Sequence, residues 1–146
     1  MTGTVTHQAT SPAAAVLRSP ALWLGVALGV VELTDSGPFD PYSPTTFIPP
    51  LVALIYLIFA ASRHGADRSA AMRIQAVGLV CFTAVSVVTL IVDPAIGRYL
   101  IAAGWLAHAA WDFAHRDGRV VPKWIVRFCV PFDLLVATSL VVGTWS

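Results

Sequence analysis

His108, Trp111, Asp112 and His115 fall close together in the stretch Gly104-Trp-Leu-Ala-His-Ala-Ala-Trp-Asp-Phe-Ala-His115. His108 and Asp112 are four residues apart and Asp112 and His115 three, so on a helix all three ionisable side chains project from one face. Imidazole and carboxyl groups are the usual side-chain donors and acceptors of protons in catalysis. Their neighbours are apolar. An Asp at the centre of a membrane helix costs roughly 2.5–3.5 kcal/mol on insertion scales, so such a group by default faces an interior site.

Acid/base work is the first chemistry these residues suggest. Asp112 or Asp133 would be the acid, His108 the base or its orienter, and His115 a more exposed relay. Glu32, one turn from Asp35 at the far end of the first apolar segment, is a further candidate. Trp105, Trp111 and Phe132, with Trp124, Phe113 and Phe128, could line an apolar pocket whose ring faces stabilise developing positive charge. The substrate class this implies is hydrophobic and lipid- or isoprenoid-like, and the reaction type is isomerisation or cyclisation, as in terpenoid or lipid metabolism.

Metal binding is the second chemistry. His108 and His115 are two turns apart, about 10.5 Å along the axis at 1.5 Å per residue. An easier site would use Asp112 with one histidine, His108 or His115, completed by Asp133 or Glu32. The spacing is no metal signature, and no metal or other cofactor is expected. A proton or ion path is the third chemistry, because intramembrane Asp and His in a row often mark conduction. A transport component, or a non-catalytic accessory subunit of a membrane complex, is therefore the alternative to an enzyme. A purely structural role is the remaining reading: Asp112 could pair with Arg116 or Arg127, and His108 could hydrogen-bond to a neighbouring helix.

The elements that hold these groups are apolar. The chain has 146 residues, 57% hydrophobic and 12% charged, with mean hydropathy +0.75. Soluble domains carry about a quarter charged residues, so half that density points to lipid as the main solvent. A net charge of +1 without a basic block excludes the electrostatic footprint of a nucleic-acid binder. There is no Gly-rich phosphate loop, nucleotide fingerprint or Ser-His-Asp pattern. Cys81 and Cys129 lack metal spacing and are expected to be buried free thiols at similar depth.

Five apolar segments can be drawn, over residues 20–33, 47–62, 74–92, 98–114 and 121–143. A helix needs about 20 residues to span hydrocarbon, which the third and fifth meet easily and the first does not without its flanks. Every Lys and Arg except Arg98 falls on one side if all five span, and that side should be cytoplasmic. The expected fold is thus an all-α integral membrane bundle of about five transmembrane helices, multi-pass in the cell membrane, with a cytoplasmic N-terminus. Residues 1–19 are expected as a mobile arm and 20–146 as one domain. No secretory signal is read in the first residues.

Local signals place the segment ends. Asp35–Pro44 is a turn-rich connection, Pro49-Pro50 is expected to open the second helix, and Asp93-Pro94 and Asp117-Gly118 mark further boundaries. Pro131 lies inside the fifth segment. Gly25 with Gly29, and Ala103, Ala107, Ala110 and Ala114, give small-residue spacings suited to close helix packing, or to a homo-oligomer. Trp23, Trp124, Trp145, Tyr42, Tyr56 and Tyr99 are expected in interfacial belts, and His7 and His64 in solvent.

Overall fold

The computed structural model describes residues 11–34, 37–62 and 68–143; 84% of them are helical and none lies in a strand. The helices are α1 (Pro12–Leu17), α2 (Pro20–Thr34), α3 (Pro44–Ser62), α4 (Arg68–Ile91), α5 (Pro94–Ala114) and α6 (Lys123–Val142). His7, Asp35, His64 and Trp145 lie outside the described residues. Part of the N-terminal segment read as an arm forms α1.

Proline sets where most helices start. It is the first residue of α1, α2, α3 and α5, and Pro122 directly precedes α6. At a first helical position its missing N–H would have no intrahelical partner anyway. Asp93 caps α5, its carboxylate accepting from the Ala95 amide at 2.9 Å. Between α5 and α6 the chain turns through Gly118, whose φ of 78° is the one left-handed conformation among the described residues.

α3 corrects one expectation. It begins at Pro44, so Pro49 and Pro50 lie inside it rather than opening it. An internal proline removes the hydrogen bond to the carbonyl four residues back, here the carbonyls of Thr45 and Thr46. Both are taken up from other helices: the Trp105 indole N–H donates to the Thr45 oxygen at 3.0 Å, and the Ser86 hydroxyl to the Thr46 oxygen at 2.6 Å. The two prolines thereby turn α3's own backbone into docking points for α5 and α4.

α3, α4 and α6 are long and apolar enough to cross a membrane. α2 has 15 residues, about 22 Å of helix against a hydrocarbon core of about 30 Å. α5 has 21 residues and the necessary length, but Arg98, His108 and Asp112 lower its apolarity. Side-chain placement is the reverse of a soluble domain. Ile91 is 76% exposed and Val80 68%, while Gln75, Ser86, Thr89, His108, Asp112 and Asp133 are buried. An apolar outside around a polar inside suits a solvent of hydrocarbon.

The helices pack in the order α2, α6, α5, α4, α3, with α3 also touching α5. α5 is therefore central, which puts its polar face between neighbours. The α2–α6 contact depends on glycine: a Cβ at Gly25 would lie 2.1 Å from the Phe128 carbonyl oxygen, and one at Gly29 would lie 2.7 Å from the Leu135 side chain. The small-residue pattern of α2 thus serves packing within the chain. The alanines of α5 at 103, 107, 110 and 114 instead face outward. Cys81 is exposed and only Cys129 is buried, against the expectation for both; each is a free thiol.

These contacts predict unequal effects from two similar changes. Gly25→Ala pushes against fixed backbone and should lower unfolding free energy in detergent by about 1–3 kcal/mol. Gly29→Ala meets Leu135, its Cβ included, at a less severe 2.7 Å and should cost less. Equal losses in equilibrium unfolding would show that α2 is not seated on α6 in this way.

Candidate functional site

The inward face of α5 carries Gly97, Ile101, Gly104, Trp105, His108 and Asp112, in helical register. Across from it, α6 presents Cys129, Asp133, Val136 and Leu140. The two faces meet as an apolar cluster of Ile101, Ala102, Trp105, Val136, Ala137 and Leu140 at one level. One turn or two further along α5, they meet as a polar centre.

In that centre His108 Nδ1 lies 2.9 Å from an Asp133 carboxylate oxygen and 3.7 Å from an Asp112 carboxylate oxygen. All three residues are at most 2% exposed. The 2.9 Å contact is a hydrogen bond in which Nδ1–H donates to Asp133, which orients the ring and leaves Nε2 on its other side. Nε2 has no hydrogen-bond partner, nor does either Asp112 oxygen or the Tyr56 hydroxyl. The Tyr56 hydroxyl and the Cys129 thiol lie close to Asp112, short of hydrogen-bonding geometry. Buried polar atoms are rarely left unmatched, so four in one place single it out.

No family model, no curated protein and no solved structure matches this chain. The geometry alone therefore carries the functional argument.

His115 stands apart from the centre in a polar ring of its own. Its Nδ1 lies 2.7 Å from the Trp111 carbonyl oxygen, and its Nε2 lies 2.9 Å from the Gln75 amide nitrogen. The Trp111 indole N–H donates to the Gln75 amide oxygen at 3.3 Å. Indole can only donate, so it sets which end of the Gln75 amide faces it. The amide N–H₂ then donates to Nε2, and the carbonyl requires the proton on Nδ1. Tyr56 links the two histidines, its ring edge-on to His115 at 5.5 Å and to His108 at 6.5 Å between centroids.

Of the residues read from sequence, the fold brings together His108, Asp112 and Asp133, with His115 one step away across Tyr56. Glu32 is elsewhere: it is exposed and lines a cavity of about 220 Å³ with Asp40, Arg98 and Ser139. Arg127 does not reach Asp112 but lines a separate apolar cavity with Lys123 and Arg116. Arg116 stacks over Phe113 at 4.3 Å, so neither arginine is the carboxylate's partner. Trp105 and Phe132 pack edge-to-face at 5.7 Å within the apolar cluster. Of the other members of the expected pocket, Phe113 lines the cavity that holds Arg127, and Trp111 borders another.

That cavity lies between α4 and α5, with a volume of about 330 Å³ and walls that include Val77, Cys81, Phe82, Gly104, Ala107 and Trp111. Phe82 separates it from the polar centre, its ring 4.9 Å from that of His108.

Tyr56, Gln75 and Phe82 escaped the sequence reading. Tyr56 was expected at a membrane interface, yet it is fully buried. Its place well inside the second apolar segment was the available signal. Gln75, near the start of the third segment, carried an isolated amide that nothing else in that segment could satisfy.

Gln75→Leu should leave the Trp111 indole and His115 Nε2 unpartnered, at about 1–3 kcal/mol. In the parent protein, nitrogen-15 NMR should find the Nδ1–H tautomer at His115. A dominant Nε2–H form would show that the ring of hydrogen bonds is assigned the wrong way round.

Proposed function

We propose that this chain is a small integral membrane enzyme that performs proton-transfer chemistry, such as isomerisation or cyclisation, on a hydrophobic, lipid-soluble substrate. In this reading α2 to α6 cross the cell membrane, α2 with the help of its polar flanks, and the N-terminus is cytoplasmic. The observation that carries it is the set of unmatched atoms at His108, Asp112 and Tyr56, buried beside an apolar cavity.

The roles follow from position. Asp133 holds the His108 ring by Nδ1, as the carboxylate of an Asp–His pair orients a base, and the bare Nε2 is the atom free to take a proton. Asp112 is the second proton carrier. Substrate reaches them from the lipid side through the α4–α5 cavity, whose outward wall includes the exposed residues Val77, Cys81, Ala103 and Ala107. Phe82 is the inner wall and must swing aside or be replaced by substrate. His115, engaged at both ring nitrogens, is a support for Trp111 and Gln75 in this arrangement more than a relay.

A conduit across the membrane is the weaker reading. Between the polar centre and the cavity that holds Glu32 and Arg98 stands the apolar cluster of α5 and α6, including Ile101, Trp105, Val136 and Ala137. Protons or ions crossing the protein would have to pass that dry layer.

The test is a comparison of lipid extracts from cells with and without the chain, followed by variants. His108→Ala and Asp112→Asn should lower product by about 10²–10⁴-fold, the usual contribution of a positioned acid or base, while the protein still inserts. Ala107→Trp, which touches none of the ionisable groups, should block the cavity and abolish turnover of a bulky substrate. Unchanged product in His108→Ala and Asp112→Asn would refute the assignment of roles.

A further inference from the structure

His108, Asp112 and Asp133 also have the composition and spacing of a metal-ligand set. One ligand atom from each lies within 4.8 Å of those of the other two. The atom of His108 that faces both carboxylates is Nδ1, at 2.9 Å from Asp133 and 3.7 Å from Asp112. Bonds of about 2.0–2.2 Å to a tetrahedral ion hold its ligand atoms about 3.3–3.6 Å apart. The two separations from Nδ1 bracket that range and the carboxylate oxygens lie within 4.8 Å of each other, so side-chain adjustments would bring the three atoms onto one centre.

Charge and hydrogen bonding point the same way. Both carboxylates are buried, and among the described residues no Lys or Arg side chain pairs with them. A divalent cation cancels two carboxylate charges, which a low-dielectric interior otherwise penalises heavily. It also takes up lone pairs on Asp112, the carboxylate whose two oxygens have no hydrogen-bond partner. Along α5 alone the spacing gave no metal signature because the third ligand comes from α6, and His115 is unavailable because its two ring nitrogens are already engaged.

We propose that His108, Asp112 and Asp133 bind one divalent first-row transition ion of the zinc class, with an open coordination position beside Tyr56. An imidazole with two carboxylates suits borderline ions such as zinc, manganese or ferrous iron. Three protein ligands leave a fourth position for water or a substrate oxygen, the arrangement of catalytic zinc. On binding, the ring proton moves from Nδ1 to Nε2, so that the neutral imidazole binds through Nδ1. The inference rests on the reading above that this cluster is the working site, and deepens it by changing the roles there. With Nδ1 and Asp112 on the ion, a Lewis acid would take the place of the bare base at Nε2 and of Asp112 as proton carrier.

The full chain, purified in mild detergent without chelators, should hold about one ion per chain by elemental analysis. If the ion is lost in purification, incubation with zinc, manganese or ferrous salt and desalting should restore it. Asp112→Asn and Asp133→Asn should each lower metal content by roughly tenfold or more, as losing a ligand does at least as much as losing a supporting group. Asp117→Asn, at an exposed loop carboxylate, should leave it unchanged. Should the ligand variants fail to fold, the parent protein decides: a strong chelator should lower its thermal unfolding temperature and zinc should raise it again. Parent protein that holds less than a tenth of an ion per chain after loading and shows no thermal response overturns the proposal. Product formation by such metal-free protein would keep the enzyme reading alone. Stoichiometric metal with unaltered lipid extracts would support the ion and remove the enzyme.

Discussion

His108 is 1% exposed, and a polar group buried so deeply must find its partner inside the chain. That constraint organises the bundle. The two carbonyls that Pro49 and Pro50 release from α3 are claimed by Trp105 and Ser86. The indole of Trp111 is claimed by Gln75, and the other end of that amide by His115. Arg98 donates to the Leu140 carbonyl near the end of α6, where a helix leaves its last oxygens unpaired. Most of these bonds join different helices, so satisfying the backbone and aligning the helices are one event.

Against that background the exceptions gain meaning. Asp112, His108 Nε2 and the Tyr56 hydroxyl are unmatched together, and among the described residues the Thr46 hydroxyl is the one other buried side-chain oxygen or nitrogen without a partner. The first three also converge, with Asp133, at one point between α5, α6 and α3. Local breaches of an otherwise consistent design are expected at functional sites, where stability is given up for chemistry. The apolar layer of Ile101, Trp105, Val136 and Ala137 closes one side of this point, and Phe82 separates it from the cavity between α4 and α5.

Much of this was readable from residue order because membrane helices carry strong signals. Long apolar runs with proline and glycine at the turns placed the C-terminal ends of α2 to α6 to within about one residue and their starts to within about six. The pairing of Gly25 and Gly29 with a neighbouring helix followed from size alone. The signals failed where the partner lay on another helix. Arg127 was weighed as a partner for Asp112 from depth along the chain, but rotation about α6 takes it to a different cavity. Tyr56 was assigned to an interface by residue type, though it lies well inside α3 and is fully buried. Pro49-Pro50 was read as a helix start because the backbone bonds that replace the missing ones come from Trp105 and Ser86, far away in sequence.

The residue order by itself determined the helical, lipid-suited character of the chain and the common face of His108 and Asp112, since both follow from local periodicity and composition. Only the tertiary structure decided that Asp133 meets His108 and that neither Arg116 nor Arg127 reaches Asp112, that Tyr56 and Phe82 flank the polar centre, and that Glu32 lies elsewhere. Helical spacing fixes which side chains share a face. Which face turns toward which neighbour depends on packing and hydrogen bonds between segments distant in the chain, and no local pattern contains that information.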